Sequence, residues 1–167
     1  GMEARLMRTL RLEKGYTYGA GSFYRENSYQ TPFYAYSQVR SNVTLESLEI
    51  FKNIINGYAE SYNSEDLELT KNKLIKQNAL RFERLGSLLN MLDTISKFNF
   101  PDTYIQKQQD VLTSMSLEEA QSIAESQFNA DKMYFVVAGD AKTQLSRIKE
   151  LGYGNPIMLD REGNRIK

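Results

Sequence analysis

The chain has 167 residues, 41% hydrophobic and 25% charged, with 21 Lys+Arg set against 21 Asp+Glu. A net charge of zero gives no long-range attraction to nucleic acid or anionic lipid, and no apolar run reaches the ~18 residues of a membrane-spanning helix. His and Cys are both absent, which excludes a Ser-His-Asp triad, a thiol nucleophile, disulfides and every histidine-based zinc motif.

In chain order, residues 3–14 read as a short helix, with Leu6, Met7 and Leu10 on one face and Arg5, Arg8 and Arg11 around it. Gly15 fits the position just past the helix end, where a left-handed backbone meets no Cβ clash. Residues 16–25 alternate as a strand, Glu26-Asn27-Ser28 supplies turn residues, and 29–40 is the return strand. Phe33, Ala35, Ser37 and Val39 fall on one face of it, and Tyr34, Tyr36, Gln38 and Arg40 on the other. Pro32 lacks an amide hydrogen and so belongs near the strand start or on an edge. Thr44 is expected to cap a helix striped with Leu45, Leu48, Phe51, Ile55 and Tyr58.

Ser64 is expected to cap a longer helix carrying Leu67, Leu74 and Leu85 toward Phe98, with a break near Gly86 and a stop at Pro101. Asp102 or Thr103 starts the next helix, which runs to about Thr113. Ser116 and Glu119 form a capping box for a helix ending near Phe128. The continuously apolar run at 133–138 reads as a buried strand. Gly139-Asp140 then turns the chain into a helix over 141–151, and 157–159 is a short last strand. The expected fold class is α+β: a mainly antiparallel sheet covered on one face by helices, in one domain over residues 2–167. Gly1 reads as a cloning remnant.

Candidate chemistry is sparse. Gly15, Gly19 and Gly21 match neither G-x-G-x-x-G nor a P-loop, and fit a helix cap followed by a strand that needs close backbone approach. Tyrosines 16, 18, 24, 29, 34 and 36 crowd the hairpin, but stacking on nucleic acid lacks its electrostatic term in a neutral chain. The acidic pairs Glu65-Asp66, Glu118-Glu119 and Asp160/Glu162 make no calcium loop, and the second is explained by a helix first turn. Arg11, in the last helical turn, and Tyr16, past the Gly15 pivot, are positioned to share one mouth. A guanidinium fork and a phenol can together hold peptide carbonyls or a developing oxyanion. The plainer reading makes Arg11 a helix C-terminal cation and Tyr16 a packing residue.

The stretch from Leu10 to Gly19, LRLEKGYTYG, resembles a segment of the insulinase, pitrilysin and mitochondrial processing peptidase family, zinc proteases built from two related α+β halves. SLEEAQSIAESQF, MYFVVAGDAKTQL and IKELGYGNPIMLDREGN extend the similarity along nearly the whole chain. In that family the metal sits on an HxxEH motif in the N-terminal half. A chain without histidine therefore resembles the C-terminal, metal-free half, truncated at its N-terminal edge and part of a larger protein. The resemblance implies no catalytic or metal-binding residue here. Arg11 and Tyr16 would reach the substrate, with Tyr18 a further candidate by strand alternation and Gly15 the backbone pivot. It implies zinc in a partner N-terminal half, on the same chain or a separate subunit, and a peptide substrate, with neither nucleic acid nor membrane as partner. The position after Arg11, acidic in the family pattern, is Leu12 here. The expected role is a substrate-binding, chamber-closing half of a zinc metalloendopeptidase, inactive alone. The alternative is a structural or interaction subunit that keeps the fold without the proteolytic work. The bacterial members it resembles are often exported, which points to the periplasm.

Overall fold

The protein is described as a computed structural model over residues 1–25, 27 and 29–166, so Glu26 and Ser28 of the expected hairpin turn lie outside the described residues. Two compact units are present: one gathers residues 2–25, 32–56 and 129–166, and the other gathers residues 57–128 with Gly1, Asn27 and 29–31.

In the first unit, α1 (Met2–Leu6) runs directly into a π-helical segment (Met7–Glu13). Leu6 and Leu10, one turn apart, are both 0% exposed. Burying each stabilises the unit by about 1.5–3 kcal/mol. The Met7 thioether accepts the Ala20 amide at 3.1 Å, tying this helix to the strand that follows. Gly15, at φ +63°, makes the expected left-handed exit.

Strand β1 (Thr17–Tyr24) pairs antiparallel with β2 (Phe33–Val39) in a two-stranded sheet. Cross-strand aromatic pairs set the register. Phe23 faces Tyr34 with stacked rings 5.2 Å apart, and Tyr24 faces Phe33 at 5.2 Å. Such pairs are worth about 0.5–1.5 kcal/mol beyond the area they bury. Opposite Tyr36 sits Gly21, where a Cβ would come within 2.9 Å of the ring. The phenol thus covers a glycine backbone. Along β2 burial alternates as the sequence implies, and the Pro32 carbonyl, just before the strand, accepts the Arg25 amide at 3.0 Å.

After a 3₁₀ turn (Ser41–Val43), α2 (Thr44–Asn56) buries Leu45, Phe51 and Ile55. Thr44 does not cap this helix. It lies inside it, and its hydroxyl donates to the Ser41 carbonyl at 2.8 Å, because the 3₁₀ turn starts the helical chain earlier. α8 (Ala141–Ile148) is capped by Asp140, which accepts the Lys142 amide at 3.0 Å, and continues as a 3₁₀ turn (Lys149–Leu151). It is tied to α2 by Arg147, whose guanidinium pairs with Glu46 at 2.6 Å and donates to the Asn42 carbonyl at 3.1 Å.

Two expected strands are not formed. Residues 133–138 belong to no sheet: Tyr134 is 97% and Val136 88% exposed, while Met133 and Phe135 are half-buried, Phe135 stacked on Tyr153. No described strand lies alongside to accept their backbone bonds, and a strand exists only by such pairing. Residues 157–159 likewise reduce to one isolated bridge, Leu159 to Arg165.

The second unit is helical: α3 (Tyr58–Ser61), α4 (Ser64–Arg81), α5 (Leu85–Phe98), α6 (Tyr104–Ser114) and α7 (Leu117–Gln127). Its centre is aromatic, with the buried Tyr58 ring 5.7 Å from Tyr62 and 5.1 Å from Phe128. Gln121 Nε2 donates to the Tyr62 carbonyl at 2.7 Å. Asn63, not Ser64, caps α4, its side chain accepting the Asp66 amide at 3.0 Å. The expected break near Gly86 falls at 82–84, where Arg84 is extended (φ −118°, ψ 123°) and opens α5 as its cap. α5 ends at Asn99 in the left-handed conformation, two residues before Pro101. The capping box is formed as expected: Ser116 Oγ accepts the Glu119 amide at 3.1 Å and Glu119 Oε2 accepts the Ser116 amide at 2.8 Å.

Candidate functional site

The junction from the π-helical segment to β1 carries the residues the sequence singled out. The π segment ends in overlapping backbone bonds: Lys14 N–H to Thr9 O at 3.0 Å, Gly15 N–H to Arg11 O at 3.2 Å, and Tyr16 N–H to Leu10 O at 2.8 Å. These wide turns and the positive φ of Gly15 reverse the chain within a few residues. Single π turns inside α-helices occur often at functional sites. Arg11 is exposed, next in sequence to the buried Leu10, and Tyr16 is half-buried. Neither side chain hydrogen-bonds to another described residue, so both keep their donors available to a ligand. Leu12 is 76% exposed and places no carboxylate beside Arg11.

Strict alternation, which would give Tyr18 the face of Tyr16, does not hold. The β1–β2 register is irregular between Thr17 and Ala20, and Tyr18 stands 96% exposed. Thr17 manages the irregularity: its hydroxyl donates to Gln38 O at 2.6 Å and accepts the Gly19 amide at 3.0 Å. The Ser37 hydroxyl donates to the Gly19 carbonyl at 2.9 Å. Bulges of this kind re-aim side chains near functional sites. Gly19 thus serves the bulge and Gly21 the Tyr36 ring, and neither lines a phosphate cradle.

Sequence reasoning missed Arg40. Its Nη2 donates to the Gly15 carbonyl at 3.2 Å and its amide to the Tyr16 carbonyl at 3.4 Å, clamping both sides of the pivot. The signal was available in the hairpin itself, since pairing Thr17 with Val39 sets residue 40 opposite residue 16.

The acidic candidates are structural. Among the described residues, no group of three or more His, Cys, Asp or Glu side chains is gathered where a metal could bind. Glu118 and Glu119 open α7, and Glu65 and Asp66 open α4. Asp160 accepts the Asn164 amide at 2.7 Å and the Glu162 amide at 3.0 Å, and these bonds, that of Asn164 foremost, hold its carboxyl below its usual pKa. Glu46 is also held low, by a backbone hydrogen bond and then by Arg147. The Tyr153 phenol is pushed up to about 12, by desolvation first and then by donating to Asp131 at 2.7 Å. None of these groups lies on the stretch from Arg11 to Tyr18.

Residues 1–74 match the family model of the peptidase M16 inactive domain. The fold is similar to the crystal structure of the peptidase M16 inactive domain from Pseudomonas fluorescens, with a TM-score of 0.70 and 20% sequence identity over 79% of this chain. The match covers 32% of that chain, so the present sequence spans about a third of its length. No curated protein matches. The sequence resemblance to a C-terminal half of this family and the α+β class both agree with these findings.

Proposed function

We propose that this chain binds substrate and closes the chamber as the non-catalytic half of a zinc metalloendopeptidase, its premise being the M16 inactive-domain match over residues 1–74. The observation that carries the reading is the Arg11–Tyr16 junction. A solvent-facing guanidinium and a half-buried phenol flank a left-handed glycine whose carbonyl is fixed by Arg40. Such a junction presents two kinds of donor from a backbone that cannot drift. Arg11 would bind a peptide carbonyl or carboxylate through its fork, and Tyr16 would donate one hydrogen bond to an oxygen gaining charge. Tyr18, fully solvated one step along the strand, would meet the flanking part of an extended polypeptide. Zinc, held by a partner N-terminal half, would supply Lewis-acid and water activation. The work of this chain is to orient the substrate and to exclude water from the opposite side.

The test is reconstitution. This chain alone should cleave no peptide. Joined to its N-terminal half, it should support zinc-dependent cleavage, which Tyr16→Phe lowers about 10- to 1000-fold in kcat, the scale of one lost oxyanion donor. Arg11→Ala should act mainly on KM. Full activity in both variants would leave the protein a structural subunit, with Arg11 and Tyr16 reduced to capping and packing.

A further inference from the structure

The outer face of the hairpin is aromatic, where the solvated face of an antiparallel sheet is ordinarily polar. Along β2, Phe33, Ala35, Ser37 and Val39 are half-buried, while Tyr34, Tyr36, Gln38 and then Arg40 are exposed. Residues opposite one another in an antiparallel pair share a face. Phe23, opposite Tyr34, and Gly21, opposite Tyr36, therefore belong to the exposed side. The three rings form one shelf: Phe23 stacks on Tyr34 at 5.2 Å and meets Tyr36 edge-on at 6.0 Å. The bare backbone of Gly21 lets the Tyr36 ring lie down over it. Phe23, Tyr34 and Tyr36 nonetheless stay 49%, 43% and 58% exposed.

Cross-strand pairing explains why these rings touch one another. It does not explain a second observation: neither β1 (TYGAGSFY) nor β2 (FYAYSQV) carries a charged residue, although open strands are commonly guarded by charge. The shelf is also continuous with the Arg11–Tyr16 junction. Arg40, the next exposed position after Tyr36 and Gln38, reaches the Gly15 carbonyl with its guanidinium at 3.2 Å. The pivot thus meets the aromatic face. Tyr36 and Tyr34 stand four and six residues before Arg40, about 13–20 Å along the strand at ~3.3 Å per residue.

We propose that Phe23, Tyr34 and Tyr36 form a subsite for an aromatic or large aliphatic side chain of an extended peptide. An extended peptide advances at the same rise as a strand, so that side chain lies roughly four to six residues from the one held at Tyr16. The proposal rests on the reading of Arg11 and Tyr16 as substrate-binding residues, and it adds a side-chain preference to that site. An uncharged shelf offers nothing to a phosphate backbone, so a nucleic-acid strand does not suit it.

The first measurement needs no catalysis: amide chemical shifts of the labelled full chain. The probes are a neutral capped peptide of about eight Thr, Ser and Gly residues with one central Phe, long enough to cross the shelf, its Ala counterpart, and maltohexaose. Only the Phe peptide should shift the Gly21, Phe23, Tyr34 and Tyr36 amides. Tyr34→Thr with Tyr36→Thr should abolish the shifts. Gly21→Ala keeps all three rings but lifts that of Tyr36, and should weaken binding about 2- to 10-fold. The second measurement is cleavage by the chain joined to its N-terminal half, with Phe scanned through a peptide substrate. Phe at one position roughly four to six residues from the scissile bond should raise kcat/KM about 3- to 10-fold over Ala, through KM, and the double variant should erase that preference. Tyr16→Phe should lower kcat for both peptides and leave their ratio unchanged. The subsite is overturned if the Phe and Ala peptides act alike on the shifts, if the oligosaccharide replaces them, or if cleavage shows no Phe preference that the double variant removes. The expected shifts without any cleavage, or with Tyr16→Phe silent, would keep the shelf as a peptide-binding face and fault only the reading of Tyr16.

Discussion

The hairpin unit and the helical unit handle apolar residues in opposite ways. In the first, Leu6 and Leu10 are sealed, and α2 adds Leu45, Phe51 and Ile55. In the second, α5 and α6 have no buried residue at all, although α5 is the more apolar helix. Yet α5 is regular along its length, whereas the more continuously apolar run at 133–138 in the hairpin unit joins no strand. A helix satisfies its backbone from within and persists with one side bare. A strand borrows its hydrogen bonds from a neighbour, so apolar character alone does not make one.

The sharpest way to break this contrast is a pair of leucine truncations. Leu10→Ala should cost about 2–5 kcal/mol in urea unfolding, and Leu89→Ala less than about 0.5 kcal/mol. Equal losses would mean that the bare face of α5 is packed in solution. Next come two glycines of the hairpin unit. Gly15→Ala forces a Cβ into a left-handed backbone and should cost about 1–2 kcal/mol. Gly21→Ala should cost less, because the group in its way is the far end of the Tyr36 side chain, itself 58% exposed and free to swing. A reversed order in thermal melts would show that the Tyr36 ring is held in place.

A smaller effect tests the helical unit. Ser116→Ala removes the capping box and should cost about 1 kcal/mol, with faster amide exchange concentrated in the first turn of α7. The smallest is a pH effect in the hairpin unit. Asp160 has its pKa lowered on folding, so its stabilising contribution is complete above the ordinary value of 3.8 and is lost as pH falls through the depressed one. The Asn164 amide resonance should follow that titration, with a midpoint below 3.8. A midpoint at or above it would remove Asp160 as the organiser of the turn.

What the sequence made legible was local. The capping box at Ser116 and Glu119, the left-handed exit at Gly15 and the alternation along β2 each depend on residues close in the chain, and each is found as read. The misreadings share one cause. Thr44 and Ser64 are competent caps, but the Ser41–Val43 turn and Asn63 start the helical chain three residues and one residue earlier. Residues 133–138 have a strand's composition without a partner, and partnership is a property of the tertiary fold. At the candidate site, the pivot and its two donors were visible as a motif. The Thr17 bulge and the Arg40 clamp were not, because both depend on cross-strand register.

The π-helical stretch from Met7 to Glu13 has one further consequence. Its widened turns hold more residues per revolution than the ordinary helix before it, so the compass bearing of Arg11 follows from a count of residues as much as from their chemistry. Excising one residue there, and so letting the normal pitch return, would swing the guanidinium to another heading while leaving every side chain of the motif in place.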